Sequence, residues 1–378
     1  MGQKRFLFDE TESYMLELLR YGVLDKEPMA LLSPSQVDWD KMMDMASAQG
    51  LLAWVWDGIC KLPKEYRPPR QQSINWGLSA QEIWDRYNKQ KRVLMQMIDV
   101  CNQNNIRLLL FKGIAVSELF PRPESRPSSD IDIYLFDDYK RGDQIFAKEN
   151  VTRTNKRTGF DYQGVHIENH RIFLNTYTEI QIEAIKYLEE SLTEVICSKD
   201  GYYVLEPISC IVYQVMHFIA HIDDITSPPS LRFIVDFGMI LRHYRIDSEM
   251  DKLKKVLERL CVLEIYSLMV LMVEEVLGSE YNNYHFSQVQ TKNLRGLYEI
   301  IMSRPKETVS LMNKSFFERL SMYFSRYCQL RGLFKFLPVK RHVFVSKSLK
   351  ELFSISLRKS ISVPNNKSLL EFLKDKLH

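Results

Sequence analysis

Apolar residues recur every three or four positions over most of the chain, and this spacing predicts helices. Between residues 10 and 104 the pattern is interrupted near Pro28, at Gly50 and by a proline-rich loop over residues 62–70. Asp38 is predicted to cap the helix that follows it, because a carboxylate can accept hydrogen bonds from the free N–H groups of the first turn. The helical spacing returns between residues 190 and 310, so helices are predicted on both sides of a central region.

The central region opens with an apolar run over residues 106–111, which predicts a β-strand that ends at Lys112 and Gly113. A short apolar pattern at helical spacing follows over residues 114–120. Residues 121–129 are rich in proline and serine, which predicts a loop. Strand, glycine turn, helix and loop therefore lead directly into the next segment.

That segment alternates carboxylate and apolar residues, in the order Asp130, Ile131, Asp132 and Ile133. Successive side chains of a strand point to opposite faces, so the aspartates are predicted to share one face while the isoleucines enter the core. Two carboxylates that close repel each other, which favours either a raised pKa or a bound cation. Oxygen ligands on a rigid strand suit Mg²⁺, which can activate a nucleophile and stabilise a leaving oxygen. The alternative is a solvated strand edge.

Further strands are predicted after this pair. Residues 152–164 are polar and predict a hairpin or loop, while residues 165–168 and 171–174 predict short strands of a meander. Residues 178–184 alternate polar and apolar, so they are predicted to form a strand with Glu179 and Glu183 on one face.

These patterns predict an α+β fold, in which a small mixed β-sheet core is flanked by N-terminal and C-terminal helical regions. The predicted regions are an N-terminal helical region over residues 1–104, an α/β core over 105–190, a helical domain closing the cleft over 191–310, and a basic, mostly helical tail over 311–378.

The central region resembles the DNA polymerase beta-like nucleotidyltransferase superfamily and, within it, a family of bacterial, mostly uncharacterised nucleotidyltransferases. The pattern of that family is an apolar strand, Lys-Gly, a short helix and then Arg-x-x-Ser-Asp-x-Asp. The chain matches it position by position at Lys112, Gly113, Arg126, Ser129, Asp130 and Asp132. The superfamily usually has Gly-Ser where this chain has Lys-Gly. The resemblance extends over roughly residues 35 to 280 and implies that the α/β core is a nucleotidyltransferase core.

The resemblance also implies a metal site. Asp130 and Asp132 would hold Mg²⁺ (or Mn²⁺), together with a third carboxylate on a neighbouring strand that usually has the sequence Glu-apolar-His. Glu179 is the preferred match for that carboxylate, with Gln181 in place of the histidine, and Glu183 is the alternative. A solvated acidic strand face would show the same alternation.

Four matching residues are expected to serve the nucleotide. Lys112 and Arg126 would neutralise phosphate oxygens, unless they are instead a solvated strand end and a partner in a local salt bridge. Gly113 would let the backbone approach a phosphate, because it has no Cβ. Ser129 would cap or hydrogen-bond the loop.

Two residue pairs in the C-terminal helical region leave alternatives open. Arg232 and Asp236 could form an ion pair one helical turn apart, or Arg232 could lie over the cleft, where its guanidinium would suit a phosphate. His217 and His221 have a spacing that can bind zinc, but neither the adjacent glutamate of a zinc motif nor a fixed third ligand accompanies them. Packing of both histidines against the core is preferred.

Composition and charge are those of an ordinary soluble globular protein, with 45% hydrophobic and 26% charged residues and a net charge of +3. The segment from residue 314 to 378 has fourteen Lys or Arg and only four Asp or Glu. It could contact phosphate, acidic lipid or an acidic partner, or it could be a solvated helical face. The six cysteines show no CxxC spacing, and neither a signal peptide nor a transmembrane segment is expected, so the expected location is cytoplasmic.

The resemblance implies an enzyme that transfers a nucleoside monophosphate from an NTP, with ATP as the expected donor, to an acceptor hydroxyl. Glu179 would help to deprotonate that acceptor, which could be a small molecule, a sugar or a protein side chain. A nucleic acid ranks lower as acceptor, because no binding motif with interleaved aromatic residues is present. The alternative is a catalytically weak nucleotide-binding or regulatory module with the same fold, which Gln181 and the missing Gly-Ser turn permit.

Overall fold

The computed structural model describes residues 8–27, 32–174, 179–198, 200–222, 228–279, 281, 284–287, 291–303, 316–330 and 348. Within these residues, helices flank one seven-stranded mixed β-sheet, which confirms the predicted α+β class. No helix in these ranges has the length and apolar character that a bilayer crossing requires.

The N-terminal helices follow the predicted pattern. They are α1 (Glu10–Val23), α2 (Trp39–Ala48), α3 (Leu52–Lys61) and α4 (Arg70–Gln103). Asp38 caps α2 as predicted, since its Oδ1 accepts a hydrogen bond from the backbone N–H of Lys41 at 3.0 Å. Gly50 separates α2 from α3 with a φ of +69°, a conformation that glycine adopts without strain.

The sheet lies at the centre of the chain. Its strands are β1 (Leu109–Leu110), β2 (Asp130–Tyr134), β3 (Glu149–Arg153), β4 (Arg157–Tyr162), β5 (Val165–His170), β6 (Ile196–Cys197) and β7 (Tyr203–Val204). Their order across the sheet is β3-β4-β5-β2-β1-β7-β6. The two central neighbours β2 and β5 are parallel, and their register places Asp132 opposite Glu168. This pairing decides which side chains meet beside the predicted aspartates.

The remaining helices connect and cover the strands. They are α5 (Gly113–Ser117), α6 (Tyr139–Phe146), α7 (Glu179–Glu190), α8 (Pro207–Ile222), α9 (Leu231–Tyr244), α10 (Met250–Arg259), α11 (Leu263–Leu277), α12 (Thr291–Met302) and α13 (Phe316–Leu330). Beyond α13, the predicted tail lies outside the described residues apart from residue 348. The boundaries of the predicted regions stay predictions.

Two hydrophobic cores hold these layers together. The first lies between α4 and the sheet and contains Ile131 and Ile133, which are fully buried as predicted. The second joins α1–α3 to α8, α9, α11 and α12. Gln49 connects the N-terminal and C-terminal helices of this second core. Its side chain accepts a hydrogen bond from the backbone N–H of Leu231 at 2.9 Å and donates one to the carbonyl of Ile301 at 3.2 Å. The N-terminal and C-terminal helices therefore form one body beside the sheet.

Two strand predictions after β5 are wrong. Residues 171–174 follow β5 as bends rather than as a strand, and the described residues from Glu179 onward form α7. Alternation over a short window does not exclude a helix. The buried positions of α7 are Ala184, Ile185 and Leu188, which have helical spacing. The apolar residues that favour a helix thus lie at the end of the alternating window and beyond it.

Candidate active site

Strands β2 and β5 bring three buried side chains into one cluster, formed by Asp132, Glu168 and His170. Their exposed fractions are only 4%, 8% and 4%. Asp132 and Glu168 occupy paired positions in the register, and His170 shares the face of Glu168 because it lies two residues further along the strand. The ligand atoms of all three residues lie within 4.8 Å of one another. In the part of the chain that the structure describes, this is the one group of three or more His, Cys, Asp or Glu side chains that could hold a metal ion.

The cluster is joined by short polar contacts. His170 Nε2 lies 2.7 Å from Asp132 Oδ1 and 3.3 Å from Glu168 Oε2. The second oxygen of Glu168 forms a salt bridge with Arg157 at 2.9 Å. These contacts orient the carboxylate and imidazole groups toward one point.

Lys112 contributes a cation from the end of β1. Its Nζ donates to Asp132 Oδ1 at 3.0 Å. Its backbone has φ +60° and ψ −160°, a region that residues other than glycine rarely adopt and that costs about 1–3 kcal/mol. The superfamily usually has glycine at this position, which fits the observed backbone. In this chain a lysine keeps the glycine-like conformation and places an ammonium on the buried carboxylate.

These contacts set the protonation of the aspartates. Burial alone would raise the pKa of Asp132, but Lys112 and His170 outweigh it and hold that pKa well below its usual range. Burial alone would lower the pKa of Lys112, but the charge of Asp132 outweighs it and raises that pKa. The pKa of Asp130 is raised, first by burial and then by the charges of Asp132 and Glu168. Asp132 is therefore ionised, and Asp130 is the more easily protonated carboxylate.

The loop before β2 is fixed by its own hydrogen bonds. Ser129 donates to Asp130 Oδ1 at 3.2 Å, and Ser128 donates to the backbone carbonyl of Asp130 at 3.0 Å. Gly113 lies close to this loop, because a Cβ added there would come within 3.0 Å of the Ser128 hydroxyl. The missing side chain of Gly113 thus makes room for the loop that carries the aspartates.

Arg126 and Arg232 fasten the same loop to α9. Nε and Nη2 of Arg126 both donate to the carboxylate of Asp236 at 2.8 Å, and both side chains are buried. Arg232 donates to the carbonyl of Pro127 at 3.0 Å. The partner of Asp236 in this bidentate pair is therefore Arg126, rather than the Arg232 that helical spacing suggested. The phosphate roles of both arginines stay predictions.

Helix α8 carries the predicted histidine pair alongside Lys112. The Nζ of Lys112 lies 5.9 Å from the centre of the Tyr213 ring, and His217 stacks on that ring at 5.6 Å. The Nε2 atoms of His217 and His221 are 3.2 Å apart. Phe233 contacts both imidazoles, with ring centres 5.1 and 4.9 Å away. The rings are half-buried, and they are not part of the candidate metal group among the described residues.

The two glutamates expected as the third carboxylate belong to α7, not to a strand. Glu183 is exposed and pairs with Lys186 at 2.7 Å and Arg259 at 3.5 Å. The side chain of Glu179 is not among those described. Its role stays a prediction, but the strand on which that role depended is absent. The carboxylate that lies beside Asp132 is Glu168.

Glu168 and His170 were not among the residues predicted from the sequence, although a signal for both was present. Residues 168–170 read Glu-Asn-His, which departs from the Glu-apolar-His pattern only at Asn169. The match was concealed because the middle residue of the pattern is polar in this chain. The structure shows why a polar residue fits there, since the side-chain amide of Asn169 donates to Asp143 at 2.8 Å. With β5 as the neighbouring strand, the histidine of the pattern is present as His170.

The comparisons with known proteins agree with this geometry. A family model described as an uncharacterised nucleotidyltransferase matches residues 35–278, which is more than half of the chain. The match includes all seven strands and helices α2 to α11. No curated protein and no solved structure matches the chain.

Proposed function

The chain belongs to a family of uncharacterised nucleotidyltransferases, and from that premise we propose that it is a metal-dependent enzyme that transfers a nucleoside monophosphate from an NTP to an acceptor hydroxyl. One observation carries the proposal. Asp132, Glu168 and His170 converge within 4.8 Å on adjacent parallel strands, with Asp130 two residues before Asp132 on the same strand. A cluster of this kind is what binding of a cation with a triphosphate requires.

The donor set fits a divalent cation. Two carboxylates and one imidazole are ligands that Mn²⁺ and related ions accept, and carboxylates alone suit Mg²⁺. A bound Mg²⁺ or Mn²⁺ would supply charge neutralisation of phosphate oxygens and would lower the pKa of the acceptor hydroxyl. Asp132, Glu168 and His170 would hold the ion, and Asp130 would add a further oxygen from the same strand face.

The residues around the cluster have separate roles in the transfer. The acceptor oxygen attacks the α-phosphorus, and the bond between that phosphorus and the pyrophosphate oxygen breaks. Glu168 takes the proton of the acceptor hydroxyl, in the role that sequence analysis gave to Glu179. Lys112 neutralises a phosphate oxygen, since its ammonium already lies at the cluster. Positioning and charge neutralisation supply most of the catalysis in such a transfer.

The donor and the compartment complete the proposal. ATP is the proposed donor, and the proposed acceptor is a small molecule, a sugar or a protein side chain. A cytoplasmic location is supported by the cysteines that the structure describes, namely Cys60, Cys101, Cys197, Cys210 and Cys261, all of which have free thiols.

Calorimetric titration with each NTP, with and without Mg²⁺ or Mn²⁺, tests the proposal directly. We expect binding that depends on the metal and is lost in an Asp130→Asn/Asp132→Asn variant. Glu168→Gln should weaken binding of Mn²⁺, whereas the matched exposed variant Glu183→Gln should not. A folded native protein that binds no NTP in the presence of either metal would contradict the donor assignment.

Two further results sharpen the assignment of the third carboxylate and of the activity. If Glu179→Gln abolishes metal binding and Glu168→Gln does not, the original assignment to Glu179 is correct. Release of pyrophosphate in the presence of an acceptor would distinguish an enzyme from a nucleotide-binding module. Binding of NTP without any release, over a broad set of acceptors, would favour the regulatory alternative.

A further inference from the structure

A second group of polar side chains lies near the metal cluster, on α8 and α9. We refer to His217, His221 and Arg232 as the histidine wall. The two imidazoles are half-buried, so each keeps part of its ring accessible. Neither histidine is among the proposed catalytic residues, so the proposed function gives no role to His217 or His221.

The two imidazoles are held in one orientation. Their Nε2 atoms approach to 3.2 Å, which brings both ring edges to the same point. Tyr213 and Phe233 are buried and support the rings from behind, with centre-to-centre distances of 5.6 Å from Tyr213 to His217 and 4.9 Å from Phe233 to His221. Ring contacts of this kind fix the orientation of both imidazoles.

The histidine wall is continuous with the metal cluster. Asp132 contacts the ammonium of Lys112 at 3.0 Å, that ammonium lies 5.9 Å from the centre of the Tyr213 ring, and Tyr213 stacks on His217. At the other side, Arg232 is bonded to the carbonyl of Pro127, three residues before Asp130. The histidines are therefore connected to the cluster through Lys112 and Tyr213 on one side, and through Arg232 and the loop before β2 on the other.

Charged side chains near the histidines include two cations. The pKa of His217 is held well below its ordinary value, first by burial and then by the neighbouring His221, Lys112 and Arg232, against the opposing influence of Asp132. Lys112 and Arg232 are the cations named here, and Asp132 is the anion. A second cation at the histidines would be repelled by Lys112 and Arg232, but an anion would be attracted.

We propose that His217 and His221, together with Arg232, form the subsite for the terminal phosphates of the nucleoside triphosphate, which leave as pyrophosphate. The inference rests on the proposed function and adds that α8 binds the terminal phosphates. Imidazole N–H groups and a guanidinium donate to phosphate oxygens, and charge-assisted hydrogen bonds of this kind are stronger than neutral ones. The cluster would hold the end of the triphosphate where transfer occurs, and the histidine wall the end that departs.

Ligands that differ only in their phosphates provide the test. Calorimetric titrations of ATP, AMP and pyrophosphate, each with Mn²⁺, would be made on the native protein and on His217→Phe, which retains a ring against Tyr213. We expect ATP and pyrophosphate to bind about tenfold more weakly or worse, because a charge-assisted hydrogen bond is lost. Binding of AMP should be unchanged.

Three controls keep the result interpretable. His221→Gln and His217→Gln remove the imidazoles with a smaller side chain, in case the larger ring at position 217 disturbs α8. His243→Gln changes an exposed histidine on α9 and should alter no titration. Mn²⁺ binding measured alone, by electron paramagnetic resonance, should be the same in all variants, because the metal cluster lies on β2 and β5.

Each other outcome overturns the inference in a distinct way. Equal weakening of ATP and AMP would place the histidines at the nucleoside, and unchanged affinity for ATP and pyrophosphate would exclude a phosphate subsite. Stoichiometric Zn²⁺ binding that the variants lose, with no change for ATP, would show a metal site instead. If the native protein binds neither ATP nor pyrophosphate, both proposals fail; if native ATP binding is normal and the variants lose none of it, only this inference fails.

Discussion

The metal cluster and the histidine wall differ in how the fold positions them. Asp132 and Glu168 face each other across adjacent parallel strands, where backbone hydrogen bonds fix their spacing. His217 and His221 project from a helix whose position depends on side-chain packing in the helical core. A slip of one residue between strands would turn a carboxylate to the opposite face, whereas a helix can shift as a unit. The candidate metal cluster is therefore the more rigid of the two and is called the rigid wall below, and the histidine wall is the one that mutations elsewhere can displace.

The largest expected effect comes from Asp132→Asn, which removes the central residue of the rigid wall. The change eliminates a charged ligand and the counter-ion of Lys112 and His170. We expect turnover to fall about a thousandfold or more and Mn²⁺ binding to be lost. Calorimetry with Mn²⁺ and an assay of pyrophosphate release would measure both.

Asp161→Asn on β4 is the matched control for that variant. Asp161 is a strand aspartate paired with a histidine, as Asp132 is, but its partner His166 and its own side chain are partly exposed. It should leave Mn²⁺ binding and turnover unchanged. Retention of metal binding in a folded Asp132→Asn protein would contradict the assignment of the rigid wall as the metal site.

Asp236→Asn should have the next largest effect, and it acts on α9, which also carries Arg232 of the histidine wall. The carboxylate of Asp236 neutralises the buried guanidinium of Arg126, so its loss leaves an unpaired buried cation. We expect the free energy of unfolding to fall by about 3–5 kcal/mol. Denaturant unfolding would measure the loss, and Mn²⁺ binding below the unfolding transition should persist while ATP binding weakens.

A double variant separates charge from packing in that pair. Replacing both partners, as in Arg126→Met/Asp236→Leu, removes the buried charges together. Stability should then recover part of what Asp236→Asn loses, because an apolar pair of similar volume has no desolvation cost. A double variant that is as unstable as the single one would show that shape, rather than charge, holds the loop to α9.

The rigid wall could be predicted only in part from the sequence. Alternation along one strand is a local property, so the sequence pointed to Asp130 and Asp132, of which Asp132 belongs to the candidate metal group, and it correctly predicted that Ile131 and Ile133 are buried. Glu168 was missed because its importance comes from the register with β2, which no local pattern specifies.

The other errors have the same origin. Residues 178–184 alternate as a strand would, but residues 185 and 188 bury the face that makes the segment a helix. Helical spacing offered Arg232 as one possible partner of Asp236, whereas the partner in the structure, Arg126, lies 110 positions away in the sequence. Contacts between distant segments are decided by tertiary packing, so spacing along one element could not reveal this partner.

A smaller effect is expected at Lys112, which contacts Asp132 and lies beside the Tyr213 ring of α8. Both Lys112→Gly and Lys112→Ala remove the ammonium, and both should weaken ATP binding about tenfold. Glycine relieves the φ of +60° and alanine does not, so the glycine variant should be the more stable by about 1–2 kcal/mol. Thermal unfolding and ATP titration of the two variants would check both statements. Equal stability would show that the backbone conformation at Lys112 is not strained.

The smallest effect concerns Asp57, a buried carboxylate of α3 outside both walls. Burial raises its pKa from an ordinary 3.8 to about 6, despite its ion pair with Arg122. Between pH 4 and 6 the folded state therefore binds more protons than the unfolded state, so this residue stabilises the fold progressively as the pH falls through that range. Asp57→Asn should raise the melting temperature at pH 7.5 by a few degrees, equivalent to about 1 kcal/mol, and should give no gain at pH 4.5. A loss of stability at pH 7.5 would instead mean that the pair with Arg122 outweighs burial here, as the pairs with Lys112 and His170 do at Asp132.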